Sequence, residues 1–417
     1  MKLTFLGATR EVGRSAILAE TMGKRLLFDY GVMLGAEPSF PAYVPAKAVD
    51  LALLSHAHLD HSGAIPLFFL YEKARVMSTS LSFSTSEILL RDFIKLSGYM
   101  LPFEILEVHN MFREREEVMY REALEEDHVG IEFLDAGHIP GSAMILVNGD
   151  KRVLYTGDFS TVESRLLNPA DEPPIDVDAV VIEATYGRED NPKRKALEEE
   201  FIRELEEVVM NGGIALVPAF SVGRSQEILC ILAAHNFKHP VALDGMAVKI
   251  LRMYLDNTDF VKDPSLLSRA ANRIEPVVGR KQRMGVLENP GVIVSPAGML
   301  SGGPAAYYME RLAGNSGDAV FLVSFQIPGT PGDVLLSENR YVLGGRDRRV
   351  DALVKQFKFS SHCGRLELHK FLERFDSGTK VFVVHGEEES CLELVRWARE
   401  ELSLDAVAPQ AGQSFEF

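Results

Sequence analysis

The segment His56-Ala57-His58-Leu59-Asp60-His61 constrains this chain more than any other. It places three of the chain's 11 histidines and an aspartate within six residues. The preceding run, "VDLALLS", reads as a buried strand, and a glycine and an amphipathic stretch follow. In extended backbone residues 56, 58 and 60 project to one side, because side chains alternate. A turn into the next segment brings residue 61 round to the same place. Imidazole and carboxylate are ligands that suit zinc, with manganese or iron as substitutes. Four such groups exceed what one tetrahedral ion with an open position needs. The expectation is two cations sharing the loop, one on His56 and His58, the other on Asp60 and His61.

Further ligands are offered where apolar runs end. His138 lies between glycine and a turn in "LDAGHIPGS". Asp158 follows the strand-like run of "VLYTGDFS", with Gly157 permitting close approach. His385 occupies the same kind of place in "VFVVHGEEE". A carboxylate such as Asp158 can bridge two cations, one on each oxygen.

The 417 residues allow two or three domains, and a 46% apolar, 25% charged composition is that of an ordinary globular protein. No apolar run reaches the roughly 18 residues of a membrane span. The opening "MKLTFLGATREVGRS" lacks the layout of a signal peptide, so a cytoplasmic protein with no membrane partner is expected. Cys230, Cys363 and Cys391 form neither a disulfide framework nor a zinc ribbon. A net charge of −16 argues against a protein that coats nucleic acid indiscriminately, while leaving room for a locally basic groove.

"KLTFLG", "AILAE", "KRLLFDYG" and "VDLALLS" read as strands of one sheet. "GIEFLDAG", "SAMILVNGDKRVLYTGD" and "VDAVVIEAT" add more. Helical spacing is predicted over 84–97 and over the charge-laced 111–126. Beyond residue 190 a surface helix is followed by three units of strand, glycine-containing loop and helix, which imply a parallel sheet. An inserted α/β domain is therefore placed at 190–350, between 1–189 and a β-α-β-α return at 351–417.

The order HxHxDH, then "GHIPGS", then "TGDFS", resembles the metallo-β-lactamase fold of binuclear hydrolases. "FSSHCGR" followed by "VFVVHGE", with an α/β insert before them, is similar to the β-CASP branch. That branch contains the cleavage-and-polyadenylation endonuclease, its archaeal relatives and ribonuclease J. The resemblance spans essentially the whole chain. It implies an αββα sandwich carrying a β-CASP insert with a parallel sheet flanked by helices. It further implies one zinc on His56, His58, His138 and Asp158, and a second on Asp60, His61, Asp158 and His385. Asp29, in "LLFDYG", would be a supporting carboxylate. Glu183, in "VVIEATYG", would orient His362 of "SSH". Branch members acting on DNA have an apolar residue where this chain has His385, which points to RNA. Ser361 and Cys363-Gly364 depart from the alanine and acidic residue commoner beside that histidine.

Such ligands imply hydrolysis by a water activated between two cations about 3.5–4 Å apart, which also clamp a phosphoryl oxygen. Asp60 would take the water's proton and His362 would protonate the departing oxygen. The products would carry a 5′-phosphate and a 3′-OH, and both endonuclease and 5′-3′ exonuclease chemistry use such a site. Ser221, Gly223 and Arg224 of "FSVGRSQE" begin a helix whose N–H groups suit phosphate, and Gly298 of "SPAGMLSGGP" belongs to a similar loop. Basic runs at 279–283 and 344–349 either line a groove or are solvated loops. His109, His128, His235, His239 and His369 read as surface or core histidines. The rival readings are a small-molecule binuclear hydrolase of thioesterase or lactonase type, and a silent scaffold. The insert argues against the first and the filled ligand positions against the second. A homodimer, with "QSFEF" supplying an edge strand, is a further expectation.

Overall fold

A computed structural model describes every residue except 36, 71–73 and 98–99. The chain forms two compact units, one of residues 1–163, 169–190 and 361–417, the other of residues 164–168 and 191–360.

The first unit is built on two seven-stranded sheets. One runs Ser414–Glu416, Lys2–Phe5, Ile17–Thr21, Lys24–Phe28, Leu51–Leu53, Val76–Thr79, Arg115–Val118; the other runs Asp405–Val407, Lys380–Val384, Ala179–Glu183, Arg152–Tyr155, Ala143–Asn148, Val129–Asp135, Ala123–Glu126. Strand alternation sorts the side chains into layers. Leu26 and Phe28 join Val153, Tyr155, Val181 and Phe382 in the core between the sheets. Leu27 points the other way, into a core with Phe83, Leu90 and Val108 of the helices Ser80–Ser97 and Ile105–Arg113. Leu154, Val180, Ile182 and Val383 pack outward against Leu368, Phe371 and Leu394 of Arg365–Leu372 and Glu388–Leu402. Burial on both faces explains why these strands read as unbroken apolar runs. The result is an αββα sandwich.

Two expectations from periodicity need correction here. The charged segment 111–126 is not one helix: the helix ends at Arg113, and Arg115–Val118 pairs in parallel with Val76–Thr79. Ala123–Glu126 then forms a hairpin with Val129–Asp135. Both are outer strands, where pairing overrides a helical pattern and exposed charge protects an open edge. The C-terminal return also begins later than 351, since Leu353–Gln356 pairs in parallel with Ala319–Leu322 of the insert. The terminal Ser414–Glu416 pairs with Lys2–Phe5 of its own chain.

The second unit has a six-stranded parallel sheet. Its order is Ile274–Val277, Val241–Asp244, Gly291–Ser295, Ile214–Pro218, Ala319–Leu322, Leu353–Gln356, with helices such as Arg224–Ala234, Met246–Asp256 and Gly303–Leu312 in the connections. Residues 164–168 belong to this unit because two buried carboxylates bind them. Glu227 accepts the N–H groups of Arg165 and Leu166 at 3.0 and 2.7 Å. Glu198, buried on its helix, accepts the Arg165 guanidinium at 2.7 and 2.9 Å, Arg194 at 3.0 Å and His235 at 3.0 Å. His235 thus has a structural role. Glu198→Ala would leave two guanidinium groups and an imidazole around a hole. It is expected to cost about 3 kcal/mol, the lower end for a broken buried pair because Arg165 reaches water. Urea unfolding measures this, and a loss below about 1 kcal/mol would refute the stapling role.

Candidate metal centre

The strands of the first unit deliver the chemistry-bearing residues at their carboxyl ends. Asp29 follows Lys24–Phe28, His56 and His58 follow Leu51–Leu53, and Asp158 follows Arg152–Tyr155. Glu183 ends Ala179–Glu183 and His385 follows Lys380–Val384. Asp29 and His385 both take a left-handed backbone, with φ of 53° and 49°. Those turns aim their side chains back over the sheet edge. Gly157, at φ 50°, lets the chain pass Ser55: a Cβ there would lie 2.9 Å from the Ser55 Cβ and Oγ.

Two quartets of ligand atoms result. In the first, His58 Nδ1 lies 3.1 Å from His56 Nε2 and 3.2 Å from His138 Nε2. Asp158 Oδ2 is 3.6 Å from His56 Nε2 and 3.8 Å from His138 Nε2. A tetrahedral zinc with bonds of about 2.1 Å has ligand–ligand edges of about 3.4 Å, which these separations bracket. In the second, Asp158 Oδ1 is 3.4 Å from His61 Nε2, and Asp60 Oδ2 is 3.4 Å from His385 Nε2 and 4.0 Å from His61 Nε2. Within each quartet all four atoms lie within 4.8 Å of one another. Among the described residues, buried Asp158 Oδ1 and His385 Nε2 have no hydrogen-bond partner. Asp158 Oδ1 is only 3.0 Å from His385 Nδ1, yet without hydrogen-bond geometry. Buried polar atoms left unmatched at a point of convergence fit a cation.

The ring orientations are fixed from behind. His61 Nδ1 donates to Asp29 Oδ2 at 2.7 Å, which leaves Nε2 for coordination. The Ser55 hydroxyl donates to the same oxygen at 2.7 Å and accepts from His56 Nδ1 at 3.0 Å, so His56 also presents Nε2. Tyr155 OH donates to Asp29 Oδ2 at 2.7 Å, and Ser55 N–H to Oδ1 at 2.7 Å. His138 Nδ1 donates to the Ser361 carbonyl at 2.9 Å, and Thr185 Oγ1 stands 3.3 Å from His385 Nδ1. Such outer partners set tautomer and basicity of ligating imidazoles.

Burial pushes His56 and His138 well below the ordinary imidazole range, so both stay neutral and able to coordinate. Burial opposes charge on His61 and His385 too, but Asp158 outweighs it, aided by Asp29 at His61 and by Asp60 at His385. His61 is held well above its usual value and His385 near about 10. Asp158 is held well below the carboxylate range, burial being outweighed chiefly by His385 and His61. These directions favour positive charge on His61 and His385 beside the buried carboxylates, a compensation that a divalent cation would equally supply.

A third pair adjoins the first quartet. His362 Nδ1 is 3.0 and 3.1 Å from the two Glu183 oxygens, and its ring centroid is 4.5 Å from that of His138. Glu183 is 1% exposed and is pinned by the Phe159 N–H at 2.9 Å; the His362 side chain is 19% exposed. Against the cost of burial, Glu183 and Asp158 raise the His362 pKa. The flanking residues that depart from the family pattern find other uses. The Ser361 backbone orients His138, and Cys363 is buried with the Thr161 N–H 3.4 Å from its sulfur. Tyr186 sets its ring edge against His362, with centroids 5.7 Å apart.

In the second unit, Gly223 starts the helix Arg224–Ala234 at φ 74°, with Ser221 and Arg224 half-buried. A Cβ on Gly298 would lie 3.3 Å from Phe220 N, so these two loops meet. Ser55, Tyr155 and Thr185 carry no signature of their own in the sequence. Only their positions one residue before His56, at a strand end beside Asp158, and just after Glu183 mark them.

Paired His/Asp quartets on the edge of an αββα sandwich define a metallo-hydrolase of metallo-β-lactamase type. Residues 9–185 match the metallo-beta-lactamase superfamily, 225–335 the Beta-Casp domain, and 347–409 the Zn-dependent metallo-hydrolase RNA specificity domain. RNase aCSPSF2 of Saccharolobus solfataricus is 38% identical over 99% of this chain and 84% of its own length. Probable RNase MJ4 of Methanocaldococcus jannaschii is 35% identical over 99% of both. A crystal structure of a protein of unknown function from Enterococcus faecalis shares the fold at TM-score 0.63 and 14% identity, covering 99% of each chain. The chain belongs to the β-CASP family of metallo-β-lactamase ribonucleases.

Because Asp29 gathers donors from both His61 and the Ser55–His56 relay, Asp29→Asn should weaken zinc binding about 10- to 100-fold. Competition with a chromophoric chelator reads this. Unchanged affinity would make Asp29 a purely structural turn residue.

Proposed function

We propose that this protein hydrolyses RNA phosphodiester bonds with two zinc ions, manganese or iron serving as substitutes. The observation that supports this best is the sharing of Asp158: its Oδ2 belongs to one ligand quartet and its Oδ1 to the other. One cation would be held by His56, His58, His138 and Asp158, the second by Asp60, His61, Asp158 and His385. When bound, such a pair supplies Lewis acidity to a water and neutralises charge on a phosphoryl oxygen. RNA as substrate is supported by the relatives, which are named as RNases, and by the match to an RNA specificity domain.

The protein's own groups do the proton work. Asp60, the more exposed carboxylate of the second quartet, takes the proton of the attacking water. His362, made a stronger base by Glu183, carries a proton to the oxygen that leaves. Attack at phosphorus with loss of the 3′ oxygen leaves a 5′-phosphate on one product and a 3′-OH on the other. Ser221, Gly223, Arg224 and Gly298 are assigned to phosphate contacts, through backbone N–H groups and side-chain donors.

End-group analysis of cleaved RNA tests the reaction itself: a 2′,3′-cyclic phosphate among the products would defeat the water mechanism. His362→Ala should lower the cleavage rate about 10²–10⁴-fold with RNA affinity retained. Full activity in that variant would remove the proton-donor assignment. Glu183→Gln tests the pair by pH. A general acid works while protonated, so activity falls as pH rises through the pKa of His362. Removing the carboxylate lowers that pKa, and the falling limb of the rate profile should move to lower pH. A limb that stays in place would assign it to another group.

A further inference from the structure

The basic run 344–349 forms half of a two-stranded hairpin, Arg340–Leu343 with Arg346–Arg349, closed by Gly344 and Gly345 at φ 56° and 72°. Two left-handed residues at the tip are what a tight right-twisted hairpin requires. The hairpin is fastened at several points. Tyr341 is buried and donates to the Leu300 carbonyl at 3.0 Å. The Gly344 N–H reaches the Glu310 carboxylate at 2.9 and 3.1 Å, and Asn339 and Val350 close the base with two 3.0 Å bonds. It is therefore a ribbon of fixed shape.

Its charge is unfavourable to folding. Arg340 lies directly opposite Arg349, and like charges in register destabilise a strand pair. Asp347 relieves only Arg340, accepting its Nε at 2.7 Å. Arg346, Arg348 and Arg349 are exposed, and among the described residues none has a carboxylate partner. Residues 340–349 hold four arginines and one aspartate, a net of +3. Residues 191–360 hold 21 Lys and Arg against 19 Asp and Glu, a net of +2, in a chain of net −16. The positive excess of the insert is thus concentrated in this ribbon. A rigid, self-repelling cationic ribbon on an acidic protein is stabilised by a polyanion.

We propose that the 340–349 hairpin is a second RNA-binding element, in which Arg346 and Arg348 on one face of the ribbon and Arg349 on the other contact phosphates of single-stranded RNA. This rests on the ribonuclease reading for its choice of polyanion. It adds a binding element outside the metal centre and the glycine-rich loops.

The test is fluorescence anisotropy with a fully phosphorothioate-linked 30-nucleotide oligouridine, measured from 0.05 to 1 M salt. The proteins compared are wild type, R346Q/R348Q/R349Q, and K249Q/R252Q/R269Q, which removes three charges from exposed helix positions of the same unit. Single-stranded nucleic acid loses about 0.7 of salt slope per phosphate contact removed. The hairpin triple should therefore show a slope shallower by about 2. Its affinity should be about 100-fold weaker at 0.1 M salt, converging with wild type near 1 M. Its melting temperature should be unchanged or raised, since repulsion is relieved. The helix triple should bind as wild type does. Equal losses in both triples, or none in the hairpin triple, would overturn the proposal while RNA cleavage by wild type keeps the ribonuclease reading. If the wild type neither binds nor cleaves RNA, both fall. A hairpin triple with normal RNA binding but lost retention of an acidic protein would reassign the ribbon and also overturn the proposal.

Discussion

The buried carboxylate of Asp158 is the constraint around which the first unit is organised. It is 2% exposed and in contact distance of four imidazoles, His56, His61, His138 and His385. Burying a carboxylate without a compensating charge is costly, and burying four imidazoles with it raises a second problem. The chain answers by dividing the rings. His56 and His138 are kept neutral, while His61 and His385 are drawn towards the charged form by the acids they touch. The unmatched Asp158 Oδ1 and His385 Nε2 show where that internal balance is incomplete. Unmatched buried polar atoms at a point of convergence fit a divalent cation, so the charge arrangement around Asp158 suits metal binding.

That arrangement depends on the sandwich. Six of the chemistry-bearing positions stand at carboxyl ends of five strands whose side chains are buried on both faces. Their spacing is fixed by hydrogen-bonded registers such as Val181↔Phe382 and Tyr155↔Val181. A one-residue slip of any strand would turn its ligand to the opposite face. The apolar packing that fills the two outer layers and the middle one therefore also sets the spacing of the ligand quartets. Outer partners reinforce it: Asp29 gathers His61, Ser55 and Tyr155 on one oxygen, joining two sheets behind the histidines.

Much of this is legible in the sequence, for physical reasons that differ by residue. HxHxDH stands out because imidazoles are rare and a strand end is a costly place to concentrate them. Asp158 and His385 are legible once a strand is seen to run into each. Ser55, Tyr155 and Thr185 are not legible, since a lone hydroxyl at a strand end is indistinguishable from one that satisfies its own backbone. The segment 111–126 misleads for a related reason. Its charges repeat with helical spacing, yet Arg115–Val118 and Ala123–Glu126 gain more from pairing with Val76–Thr79 and Val129–Asp135. The same holds for Leu353–Gln356, a short strand with a lysine, whose place in the insert is decided by its neighbour Ala319–Leu322.

Charge separates along the chain as cleanly as the strands do. With the insert near +2, the remaining residues carry about −18 of the total −16. Within the insert, buried Asp244 holds the half-buried Arg283 at 2.7 and 2.9 Å, with Tyr308 on the same carboxylate. There a basic side chain is neutralised in place, whereas Arg346, Arg348 and Arg349 are left unneutralised on a fastened ribbon.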